Sequence, residues 1–158
     1  MSATLDFFNA IQHSAIGSAV AKSNHLVGAT AQIFHVLGFI ILLSAVLLTN
    51  LRLLGVGLRD QTAKQLAGET NKLIWIGLAS AVISGLFMFF SAVELYYFNP
   101  AFNYKVLLLV AAIVLQILWF RKILSAETPN PAVARAGALI SIGLWFSVGL
   151  AGRAIGFV

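Results

Sequence analysis

The chain has 158 residues, of which 60% are hydrophobic and only 9% charged, against about 25% charged in a soluble domain. So little charge cannot coat a water-facing surface of this size, and the expected solvent is lipid. The net charge of +5 comes from ten Lys plus Arg against five Asp plus Glu, but the cations stand at the ends of apolar segments, where topology signals belong, which argues against nucleic-acid binding. There is no cysteine, which excludes disulfides, thiolate metal sites, cysteine nucleophiles and covalently attached c-type haem.

The expected fold is all-α: an integral-membrane four-helix bundle preceded by an amphipathic interfacial helix. Residues 1–22 form the first unit. Leu5, Phe8, Ile11 and Ala15 recur at helical spacing, while Asp6, Asn9 and His13 take another face. That pattern fits a helix lying at the membrane interface or one packed on the bundle. Asp6 precedes any cation and Lys22 comes late, which is not the layout of a cleavable signal. Residues 23–158 form the bundle.

Crossing the hydrocarbon takes about 20 apolar residues in a helix. Four stretches qualify, at about 26–48, 73–97, 102–123 and 133–158. Asn50 to Lys72 is expected as a connection holding a short surface helix around Thr62 to Glu69. Asn99-Pro100 is a turn signal, and Asn130-Pro131 reads as an N-cap followed by the first helical position. Gly77, Ala81 and Gly85 recur every four residues, so a neighbouring backbone can approach closely there. Trp75, Trp119, Tyr96, Tyr97 and Tyr104 fit an aromatic belt.

Orientation follows from the cations. Arg52, Arg59, Lys64, Lys72, Arg121, Lys122 and Arg135 flank the first and third loops, and Lys22, Lys105 and Arg153 fall on the other side. The richer side is expected in the cytoplasm and both termini in the periplasm of a bacterial inner membrane.

An ionisable group at membrane depth is a candidate functional residue. His35 lies about nine residues, ~14 Å, below the outer end of the first span. Gly28, Gln32 and His35 share a face that is expected to point inward. Lys105, Arg153 and Glu94 fall in the same outer half. A neutral imidazole at His35 is a ligand for haem iron, copper or zinc, or a proton relay; it is equally a core histidine bonded to Gln32 or to a backbone carbonyl. Lys105 and Arg153 are cations suited to propionates or a phospholipid head group. Lys105 can instead snorkel to the interface, and Arg153 can instead pair with Glu94. Gln116 is expected to make an interhelical hydrogen bond, and Trp145 to pack in the core or against a planar cofactor.

Four strings occur in order: HVLGF at His35 to Phe39, LRLLG at Leu51 to Gly55, NPAFNYK at Asn99 to Lys105 and AGRAIGF at Ala151 to Phe157. Together they resemble a bacterial family of four-helix inner-membrane proteins defined only as a domain of unknown function. More distantly, the layout resembles the membrane domain of copper-resistance D-type proteins and the haem-binding, HemJ-type protoporphyrinogen oxidases. In the latter a histidine early in one helix and a lysine at the start of a later helix are tied to haem, and His35 and Lys105 hold comparable places. The further histidines of that family are absent here, with Gln116 near one such place, so the resemblance implies haem binding rather than oxidase activity.

The leading expectation is a b-type haem, or a similar planar redox ligand, held in the outer half. His35 would be its metal ligand, and Gln32, Lys105 and Arg153 would bind the cofactor, with electron exchange with a quinone. The second is a non-catalytic subunit or scaffold that self-associates or holds a membrane partner through the Gly77, Ala81, Gly85 face. Copper handling by His13, His25 and His35, and transport, have less behind them.

Overall fold

The computed structural model describes residues 3–14, 18, 25–57, 60–125 and 130–157. The expectations placed on Ala15, Lys22 and Arg59 fall outside them. Among the described residues there are helices and no strands. The helices, in chain order among the described residues, are α1 (Ala3–Gln12), α2 (His25–Leu54), α3 (Ala63–Ser91), α4 (Val93–Tyr97), α5 (Pro100–Ser125) and α6 (Pro131–Ala154). Of these, α2, α3, α5 and α6 are long and apolar enough to cross a membrane. Their outward faces carry Ile33, Phe34, Ile40, Ile76, Ile83, Leu107, Leu118 and Ile140, a surface stable only in lipid.

The helix ends follow local chemistry. At the start of α3, Thr62 accepts from the Gln65 backbone and the Gln65 side chain accepts from the Thr62 backbone, a reciprocal capping box. Asn130 caps α6 by accepting from Ala132 N at 3.0 Å, with Pro131 next, as the Asn-Pro pair predicts. Asn99 does the same for α5, its Oδ1 accepting from Phe102 N at 3.1 Å.

Two spans run further than the sequence suggests. Helix α2 continues through Asn50 to Leu54, and the expected surface helix near Thr62 to Glu69 is the opening of α3. Polar side chains placed in a loop are therefore inside the bundle. Thr49 and Thr70 hydroxyls lie 2.8 Å apart, and Asn50 Nδ2 donates to Ser141 Oγ at 3.1 Å. The turn between α2 and α3 uses Gly55 and Gly57, both at positive φ, and Arg52 Nε donates to Gln61 O across it. Helix α3 stops at Ser91, and Val93–Tyr97 forms a separate short helix.

Packing is uneven. Helix α2 lies along α3 over its length and also against α6, α5 lies against α6, and α3 and α5 touch only sparsely. The α2–α3 crossing is set by two glycines. A Cβ on Gly77 would sit 2.6 Å from Gly38 O, and one on Gly38 would sit 2.8 Å from Gly77 O. Lipid-facing helices gain little from hydrophobic burial, so such backbone approach supplies much of their adhesion. The Gly77, Ala81, Gly85 face is thus covered by α2 of the same chain and is not an external docking surface.

Helix α1 packs on the end of the bundle that carries Asn99. Phe8 meets Phe89 edge-on at 5.2 Å, and Phe89 stacks on Phe102 at 5.3 Å. Gln12 Oε1 accepts from Val93 N at 3.3 Å.

One tryptophan differs from expectation. Trp119, expected in the belt, is 8% exposed and lies over Gly137, where the indole occupies the place of a side chain. Trp145 is 1% exposed and donates to Gln116 Oε1 at 3.1 Å. It fills the core, one of the two places expected for it, and Gln116 makes the interhelical bond expected of it. Trp75 keeps to the surface, with Nε1 donating to Asn71 Oδ1 at 3.1 Å.

Candidate functional site

Three helices meet at one imidazole. His35 stands on α2 one turn before Gly38, where α2 and α3 are held closest. Gly85 on α3 supplies the room: a Cβ there would lie 3.0 Å from His35 Cε1 and 3.2 Å from Nδ1. His35 Nδ1 is 2.7 Å from Ala81 O, with Ser84 Oγ at 3.4 Å. Ser80 Oγ donates to Phe34 O at 3.1 Å and ties the two helices beside the ring.

From α5, Lys105 Nζ reaches His35 Nε2 at 3.1 Å. The lysine passes beside Gly152 on α6, where a Cβ would stand at ordinary contact distance, 3.4 Å, from Lys105 Cε and Nζ. One turn earlier Gly149 is a true notch, since a Cβ there would lie 3.0 Å from the Phe39 ring. The lysine turns inward to the histidine instead of snorkelling outward.

The partners assign the tautomer. A carbonyl oxygen can only accept, so Nδ1 carries the hydrogen and donates to Ala81. Nε2 then holds a lone pair, and Lys105 donates to it. A backbone-anchored Nδ1–H with a directed Nε2 lone pair is the arrangement by which proteins orient histidine ligands. Lys105 uses one N–H on His35; a lysine ammonium has three.

The other candidates fall elsewhere. Gln32 is exposed and does not reach the histidine. The inward stripe of α2 is Gly38, Leu42, Ala45, Val46 and Thr49, and Gln32 sits about 60° from His35 around the helix. Gly28 has nothing within 4 Å of a Cβ. Arg153 is in the last turn of α6, is exposed, and holds its guanidinium 4.6 Å from the centre of the Phe157 ring. Among the described residues no ion pair joins it to Glu94, which is itself exposed. The helix ends at Ala154 rather than running to residue 158, so Arg153 stands at the rim. His13 and His25 are exposed, and the described residues contain no cluster of three or more potential metal-ligating side chains.

Sequence reasoning missed the supporting shell of Ala81, Ser84, Gly85, Gly149 and Gly152. The glycine and alanine spacing on α3 was the available signal. It marked a close approach without saying that an imidazole fills part of it.

The family model that matches is described as a family of unknown function, DUF6644, and it covers residues 7–158. The chain belongs to DUF6644. The matched span takes in every side chain of the site just described, so the His35–Lys105 pair lies within the DUF6644 region. Comparison with curated proteins found no match, and neither did comparison with solved structures.

Proposed function

We infer that the His35–Lys105 centre is a ligand site within the bilayer for a b-type haem or a closely similar planar redox ligand, and that the protein is a membrane electron carrier. The observation that carries this reading is the imidazole itself: Nδ1 tied to Ala81 O at 2.7 Å, and Nε2 presented to Lys105 Nζ at 3.1 Å. The donor set fits the group. His35 offers a neutral nitrogen, Lys105 is a second nitrogen or a cation for a propionate, and Arg153 is a further cation at the rim. The layout of His35 and Lys105, similar to that of HemJ-type proteins, supports the same reading.

Haem bound here supplies one-electron chemistry. The chain's own part is to fix the ring of His35 through Ala81 and to hold Lys105 where it either ligates or neutralises. A lipid-side groove of about 490 Å³ between α2 and α3 includes Ser84 and Phe34. It approaches His35 from the Nδ1 side, so it does not open on the ligand nitrogen. Quinone is the partner in the membrane suited to such a carrier. The cation asymmetry supports an orientation with both termini in the periplasm of a bacterial inner membrane. The scaffold reading loses its surface, because the Gly77 face is covered by α2.

The test is an absorption spectrum of detergent-purified protein expressed with ample haem, oxidised and then reduced with dithionite. A Soret band that shifts on reduction and vanishes in His35→Ala is expected. A colourless protein overturns the reading.

A further inference from the structure

At the other end of the bundle, the sparse contact between α3 and α5 leaves a crevice of about 290 Å³ lined by Asn71, Trp75, Gln116, Ile117, Phe120 and Arg121. On its wall lies an unsatisfied donor. Gln116 is 4% exposed, its Oε1 accepts from Trp145, and its Nε2 has no partner. Flipping the amide would not help, because Nε2 would then face the indole N–H, donor against donor. A buried amide nitrogen left unpaired in hydrocarbon is costly, so an acceptor belongs beside it.

The rim says which kind of molecule brings it. Arg121 lines the crevice and is exposed, and Lys122 and Lys72 beside the lining residues are exposed as well. Gln116 lies five residues before Arg121 on α5, roughly 7 Å deeper along the helix. The molecule therefore carries an anion at the cationic rim and an oxygen acceptor one to two turns deeper, and it enters from the side through lipid. A basic pocket between transmembrane helices is a recurrent site for anionic lipid head groups.

We propose that this crevice is a binding site for an anionic glycerophospholipid, its phosphate on Arg121 and an ester carbonyl accepting from Gln116 Nε2. The site does not depend on His35 or on any redox ligand there.

The test is native mass spectrometry of the detergent-solubilised protein titrated with phosphatidylglycerol, phosphatidylcholine and ubiquinone. Phosphatidylglycerol is expected to bind about tenfold more tightly than phosphatidylcholine, and Arg121→Gln to remove that preference. Gln116→Leu is made in a Trp145→Phe background, so that no indole N–H is orphaned. It is expected to weaken phosphatidylglycerol about fivefold relative to Trp145→Phe alone. Equal binding of the two phospholipids, with no response to Arg121→Gln, overturns the proposal. So does ubiquinone displacing phosphatidylglycerol, or a Gln116 effect of nil in a folded double variant, which would mean that water alone serves the amide. If the double variant does not fold, the Arg121→Gln comparison decides.

Discussion

Lys105 Nζ donates to His35 Nε2 across 3.1 Å, joining two helices at positions 70 residues apart in the chain. With Ala81 O on the other nitrogen, the imidazole has both ring positions engaged by two further helices. Removing Lys105 leaves an acceptor unpaired in the bundle, and removing His35 leaves a lysine with nothing to donate to. A double-mutant cycle with His35→Ala and Lys105→Met, read by unfolding in mixed micelles, should give a coupling of about 0.6–2 kcal/mol, the range of interhelical hydrogen bonds in membranes.

Lys105 also separates ligation from packing. If the Soret band is present, Lys105→Met should keep it but move its position or its potential, whereas His35→Ala should abolish it. Loss of the band in Lys105→Met with retention in His35→Ala would assign the metal to the lysine and reverse the roles.

Gly77 should tolerate no side chain. Its Cβ would fall 2.6 Å from Gly38 O and 2.7 Å from Leu42 N, both backbone atoms that cannot rotate away. Gly77→Ala should cost about 1–3 kcal/mol by forcing α2 and α3 apart. Gly143→Ala is the control, since nothing lies within 4 Å of its Cβ. Equal melting temperatures for the two variants would contradict the close crossing.

Gly85→Ala should act on the site more than on the fold. The added methyl would meet the edge of the His35 ring at 3.0 Å, and a ring can tilt by a few tenths of an ångström. The expected result is a small stability change with a shifted spectrum of any bound ligand. An unaltered spectrum would place the ligand away from that ring.

Asn50 should be sensitive although it stands near a helix end. It is fully buried and donates to Ser141 and to Val46 O. Asn50→Ala should cost about 1–3 kcal/mol, because Ser141 loses a partner in a place water does not reach. A thermal shift within error of the parent would show that the site is hydrated.

The architecture was legible because apolar length is a property of short windows: α2, α3, α5 and α6 need only their own residues to be found. The cap at Asn130 was legible for the same reason, whereas Asn99-Pro100 read only as a turn and its side chain in fact caps α5. His35 and Lys105 were legible as charges out of place in hydrocarbon. Their distance was not, because it depends on how α2 and α5 pack and on Gly85 of α3 leaving room for the ring. Gln32 misled because a shared helical face in the sequence is about 100° wide, while the stripe that meets α3 is narrower. Asn50 misled because a polar residue at the end of an apolar run looks like the start of a loop, and only the continuation of α2 to Leu54 puts it inside.

Around the bundle the helices run α3, α2, α6, α5, and the ring is left unsealed between its first and last members although α4 and the Asn99 turn join them directly. The gap lies in the side of the ring rather than at its end, so the crevice at the α3–α5 seam borders lipid along its open edge.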